Sequence, residues 1–108
     1  MPIDFTVQRI PWADGALMIQ ELRVSASTLG TLDYSITPGD SDDEISKHVL
    51  ALGTRGQAIG CARVSPVGHI DRITVLPLEN WKQIGVAMIE ALMDDYIDHI
   101  ESLNKSQA

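Results

Sequence analysis

The sequence predicts an α+β domain: a helix-containing N-terminal part, a three-strand antiparallel meander and a long C-terminal helix. Three observations carry this. Apolar residues alternate at the start of the chain, as in a half-buried strand. Two short Gly/Pro-bearing turns divide the middle of the chain into three apolar runs. Apolar residues then recur at spacings of three and four over the last quarter, the period of one helical face.

At 108 residues the chain suits a single domain spanning residues 1–108, with one core. Hydrophobic residues make up 44% and charged residues 21%, the balance of a packed globular chain. Aromatic residues are only 5%, so aliphatic side chains must fill the core. The formal net charge is −7. Phosphate backbones and anionic membrane surfaces repel such a chain, and no Lys/Arg cluster offsets this, so neither nucleic acid nor membrane is an expected partner. Cys61 is the single cysteine, which excludes an internal disulfide and suits a reducing compartment. No apolar stretch approaches the ~20 residues of a membrane span, and the start lacks a signal-like basic and apolar pattern. The expectation is a cytoplasmic protein.

Ile3, Phe5 and Val7 alternate with Asp4, Thr6 and Gln8, and Pro11 ends that strand because it cannot donate to a ladder. Asp14 is placed as the N-cap of a helix starting near Gly15. Ile19, Leu22, Ala26 and Leu29 form its apolar face, and Gly30 stops it. From Thr31 to Ser46 the expectation is a loop carrying the Pro38-Gly39 turn, with a short helix near Asp42–Lys47. Residues 48–52 are a strand, 53–57 a hairpin loop, 58–64 the return strand, 65–68 a second turn, and 69–76 a third strand closed by Pro77. The long helix runs from about Asn80 to about Ser102. Its buried face is Gly85, Met88, Ile89, Leu92, Tyr96, Ile100 and Leu103. Glu90, Asp94, Asp95, Asp98 and Glu101 lie mainly off that face, and residues 104–108 are a frayed polar tail.

From Ile19 to about Ile97 the order of segments resembles the GNAT superfamily of acyl-CoA-dependent N-acyltransferases. Ile19-Gln20-Glu21-Leu22-Arg23-Val24 is similar to that family's first helix, and an acidic loop follows. Gly60-Cys61-Ala62-Arg63-Val64 stands where the family has a Gly-x-x-Arg-hydrophobic strand. Gly68-His69-Ile70-Asp71-Arg72-Ile73-Thr74-Val75-Leu76-Pro77 resembles its core strand and exit. Ile84-Gly85-Val86-Ala87-Met88-Ile89-Glu90-Ala91-Leu92 resembles the start of its cofactor-binding helix. Two departures stand out. The family's Arg/Gln-x-x-Gly-x-Gly/Ala loop is degenerate here. Asn80-Trp81-Lys82-Gln83-Ile84-Gly85 keeps one glycine, and the shifted frame Lys82-Gln83-Ile84-Gly85-Val86-Ala87 is led by lysine. The chain also ends after the long helix, where the family continues with a further third of the fold. The expected fold is therefore a mostly antiparallel GNAT-like sheet flanked by one helix on each side, without that C-terminal third.

What the resemblance implies is acyl transfer from acetyl-CoA or another acyl-CoA to an amine. Main-chain groups of Ile73, Thr74 and Val75 would then pair with the pantetheine amides, and Lys82, Gln83, Ile84 and Gly85 would offer donors to a phosphate at the helix start. The alternative is a degenerate module that has lost catalysis and acts in binding or regulation. No acid or base is singled out for catalysis. Asp33, Asp40, Asp42, Asp43 and Glu44 read as a solvated acidic loop, lacking the spacing and central glycine of a calcium loop. His48, His69 and His99 have no metal-ligand spacing, and His48 and His69 read as exposed or hydrogen-bonded strand-end residues. Glu79 and Glu90 read as surface charge, Tyr96 as core, and Tyr34 as a possible proton donor. Cys61 reads as a small buried hydrophobe. The unpaired edge of the third meander strand suggests a homodimer, or a second protein completing the fold.

Overall fold

The structure is a computed structural model and describes residues 2–28 and 40–106. Its elements follow the order β1 (Phe5–Ile10), α1 (Trp12–Thr28), β2 (Lys47–Gly53), β3 (Ala58–Val64), β4 (Ile70–Val75) and α2 (Trp81–Ser106). The strands form one antiparallel sheet in the order β1-β2-β3-β4. The N-terminal strand thus joins the meander as its fourth member. Two helices cover opposite faces, because alternate residues of a strand point to opposite sides. Val49, Ala51, Ala62 and Val64 pack with Ile84, Met88 and Leu92 of α2. Leu50 and Cys61 pack with Ile19 and Leu22 of α1. Because β2 and β3 are central and buried on both faces, they read as continuous apolar runs, whereas edge strand β1 alternates.

Both hairpin turns fall where glycine permits a positive φ: Gly56 at 78° and Gly68 at 87°. At Gly68 the fit is also steric, since an added Cβ would lie 3.0 Å from the Tyr96 ring. Gly60 is a second close approach, with Met88 Sδ and Cε each 3.1 Å from where its Cβ would stand. That contact lets α2 lie close against β3.

Several expectations are corrected. Helix α1 begins at Trp12, directly after Pro11, and the amides of both Asp14 and Gly15 donate to the Pro11 carbonyl at 3.0 Å. Asp14 is therefore inside the first turn, where its charge still complements the helix dipole, and is not the N-cap. Ile19 and Leu22 are buried as expected; Leu29, Gly30, Asp33 and Tyr34 lie outside the described residues. In place of a short helix at 42–47 there is a turn at 41–45, closed by Asp43 N–H to Asp40 O and Ser46 N–H to Asp42 O. Helix α2 extends to Ser106, so residues 104–106 continue the helix instead of fraying. Its burial also shifts: Ile84 is fully buried, and Leu103 is 45% exposed because the sheet ends before the helix does.

Strand β4 carries an irregularity that matters below. Cys61 pairs with Thr74 and Arg63 with Asp71, so Ala62 faces both Arg72 and Ile73. This is a bulge in β4, and Arg72 takes φ 53° there, the left-handed region that side chains normally avoid.

Candidate functional site

The outer side of β4 and the start of α2 enclose a cleft of about 510 Å³, lined by Ile73, Val75, Leu76, Pro77, Leu78, Glu79 and Trp81. All but Glu79 are apolar or aromatic, so the floor suits an apolar chain with few polar groups. Strand β4 is the end strand of the sheet, so its outer edge is unpaired among the described residues. Which main-chain groups face that edge follows from the ladder. Leu76 N–H donates to Ile59 O at 2.9 Å, and antiparallel pairing alternates. Thr74 therefore turns its amide and carbonyl toward β3, while Val75 turns both toward the cleft. The Thr74 side chain is also buried. Of the three strand residues singled out from the sequence, Val75 presents polar main chain, Ile73 lines the cleft and Thr74 belongs to the sheet.

The helix start beside the cleft has an unusual cap. The Asn80 side chain does not fold back on α2: its Nδ2 donates to Ile3 O at 2.9 Å and its Oδ1 accepts from Ile3 N–H at 3.2 Å. It ties the chain start to the helix instead. Trp81 N–H donates to Leu78 O and Ile84 N–H to Asn80 O, which leaves the intervening amides of Lys82 and Gln83 as the open donors of the first turn. Lys82 and Gln83 are exposed, and the Lys82 ammonium stands 5.4 Å from the centroid of the half-exposed Trp81 ring. Ile84 is buried in the core and offers no surface. Gly85 is half-buried, and a Cβ there would meet only Val75 Cγ2 at 4.0 Å. Packing does not demand this glycine. It leaves open space between the first turn of α2 and the free edge of β4.

On the α1 face, the acidic segment corrects the reading of a solvated loop. Asp43 is fully buried and accepts from both Arg23 Nη atoms at 3.0 Å and from Arg63 Nη1 at 3.0 Å. Arg63 also forks onto Asp71 at 2.7 and 3.2 Å and onto Asp40 at 2.6 and 3.1 Å. Arg72 approaches Asp40 at 3.6 Å. Three guanidiniums thus face three carboxylates. Burial alone would raise the Asp43 carboxyl, but the bonds from Arg23, the Asp40 amide and Arg63 prevail and hold it at about 2. The Arg63 guanidinium is raised mainly by its bond to Asp71. Spacing gives no hint of this cluster, because Arg23 and Arg63 lie 20 residues to either side of Asp43. Asp42 and Glu44 remain exposed.

His48 is buried against this cluster, its Nε2–H donating to the Asp43 carbonyl at 2.7 Å and its ring 5.0 Å from that of Trp12. The hydrogen-bonded reading of this histidine holds, and burial lowers its pKa. His69 is exposed and precedes β4. Cys61 is buried, and desolvation raises its thiol to about 11, which removes it as a nucleophile. Among the described residues no group of His, Cys, Asp or Glu could hold a metal ion, and no helix is long and apolar enough to cross a membrane.

No family model and no curated protein matches the chain. Solved structures do. One, assigned as an acyl-CoA N-acyltransferase from Klebsiella pneumoniae, aligns at a TM-score of 0.58 and 20% identity over 88% of this chain and 65% of its own. Another, a GCN5-related glucosamine N-acetyltransferase region in a fungal multi-domain β-N-acetylglucosaminidase, aligns at 0.56 and 17% identity over 89% of this chain and 12% of its own. The chain thus spans just under two-thirds of the length of the first. An antiparallel sheet between α1 and α2 and these two alignments together establish a GNAT-like α+β fold.

Proposed function

We propose that the cleft between β4 and α2 binds an acyl-CoA thioester, and that the chain transfers the acyl group to an amine. One observation carries the reading: the outward main chain of Val75 borders an apolar cleft that reaches Trp81, the first residue of α2, whose first turn leaves the amides of Lys82 and Gln83 open. The parts fit an elongated ligand with an amide-bearing arm and an anionic end. Val75 would pair with an amide of the arm as a further strand would. The dipole of a 26-residue helix, two free amides and the Lys82 ammonium would face the phosphates. The space over Gly85 admits close approach of the ligand to main chain. Bound there, an acyl-CoA supplies a thioester carbonyl for attack and a thiolate leaving group. The protein must then hold the amine neutral and return its proton to sulfur. Among the described residues Glu79 is the one titratable side chain lining the cleft.

That same scarcity favours a second reading, a CoA-binding module without catalysis that works as a homodimer. Calorimetric titration with CoA and acetyl-CoA tests the shared part. Binding in the micromolar range, weakened at least tenfold by Lys82→Glu, is the expected result; no heat at millimolar ligand removes both readings. Acetyl transfer to a panel of amines, together with sedimentation, then separates them. Turnover supports the first reading, and a dimer that binds without turnover supports the second.

A further inference from the structure

We infer that His48 is a pH-sensitive latch: its protonation releases the segment 40–46 from the sheet. The geometry carries this in three parts. First, the ring sits at the only place where that segment's main chain meets a titratable side chain of β2 among the described contacts, Nε2–H to Asp43 O at 2.7 Å. Second, the other nitrogen has no use for a proton. Nδ1 is buried and meets no partner among the described residues, so a proton added there would be a buried donor without an acceptor. Third, burial opposes a positive charge on the ring, and Arg23 and Arg63 add to that, while the Asp43 carbonyl and carboxylate work the other way. The charged groups around the ring are Arg23 on α1, Arg63 directly cross-strand on β3, and Asp43 in the segment. Arg9 on β1, Glu44, neighbouring Lys47 and Asp95 on α2 border the adjacent cavity together with His48. Arg9 and Lys47 both engage Asp95, and Asp43 already serves two guanidiniums. Imidazolium here would put a fourth cation into a cluster balanced at three against three.

The cheapest escape is local. Residues 40–46 hold the sheet through Asp40, Asp43 and the His48 bond, and their turn is closed by two main-chain bonds. Lifting the segment would let water reach both ring nitrogens while the strands stay paired. The consequence reaches β4, because Arg63 grips the segment and Asp71 with one guanidinium. An opened segment loosens one side of the grip that steadies the bulge at Arg72.

Hydrogen exchange of the full chain, read by mass spectrometry between pH 7 and pH 4.5 and corrected for intrinsic rates, tests the latch. The expected result is protection of 40–47 falling by up to tenfold per pH unit as pH drops below the ordinary imidazole value of 6.5, with 58–64 still protected. His48→Gln keeps a neutral donor for the Asp43 carbonyl and should make that protection independent of pH. The same titration followed by NMR on the wild-type imidazole covers the case in which the variant does not fold: its midpoint must coincide with that of the segment. The latch is overturned if protection of 40–47 ignores pH, if His48→Gln responds like the wild type, if the two midpoints differ, or if β3 opens together with the segment.

Discussion

Asp43 and Arg63 meet at 3.0 Å inside the protein, and Arg23 closes on the same carboxylate from the opposite element. Four parts of the chain are joined there: α1, the acidic segment, β3 and, through Asp71, β4. Asp43→Asn leaves two guanidiniums short of a buried charge. Breaking a buried pair by removing one partner costs about 3–5 kcal/mol, and urea denaturation should show a loss of that size. A loss under about 1 kcal/mol, the range of an exposed pair, would mean that the carboxylate is not buried in solution.

Acid should unfold the protein in two stages. His48 has a folded pKa below its ordinary 6.5. The unfolded chain therefore binds the proton first, and stability falls as pH drops below 6.5 until the folded imidazole titrates. Asp43 is lowered from 3.8 to about 2. Its contribution is full above pH 3.8 and is lost as pH falls toward 2. Melting temperatures recorded from pH 8 to pH 2 should show both limbs. The upper limb should be absent in His48→Gln and the lower limb reduced in Asp43→Asn.

Gly60→Ala tests the packing of α2. The new methyl would meet Met88 Sδ and Cε at 3.1 Å and Thr74 O at 3.2 Å. The carbonyl cannot yield, so a loss of about 1–3 kcal/mol is expected. Pairing the change with Met88→Ala should give a non-additive double-mutant cycle, because the second substitution removes the Sδ and Cε contacts and leaves only the carbonyl contact.

Gly85→Ala should separate stability from binding. The site has room for a methyl, 4.0 Å from Val75 Cγ2, and an interior helix position gains about 0.5–1 kcal/mol on going from glycine to alanine. The melting temperature should therefore rise. CoA affinity should fall, since the methyl fills the space over the β4 edge. Higher stability with unchanged affinity would place the ligand elsewhere.

Much of the fold is local in origin and so was legible in the sequence. Alternation in β1, glycine-bearing turns around β3 and three-four spacing in α2 each express a period or a φ requirement that neighbouring residues impose. Element ends were less so. Pro11 opens α1 because its carbonyl takes the first helical bonds, and α2 runs on past the sheet because its backbone bonds need no partner beneath them. At the candidate site, the residues themselves, Ile73 to Val75 and Lys82 to Gly85, could be named from the sequence, whereas the division of labour between Thr74 and Val75 depends on ladder phase, set by pairing with Ile59.

By itself the sequence determined the α+β class, the meander, the long helix and the single buried cysteine, all consequences of short-range pattern. Only the tertiary structure decided what the acidic segment does. Composition places Asp40 and Asp43 in water, where carboxylates are best solvated. Folding instead brings Arg23 and Arg63 to them, and their charge-assisted bonds outweigh the desolvation of Asp43. Attraction between residues distant in the chain has no signature in local pattern, because it exists only once the sheet and α1 have brought them within reach.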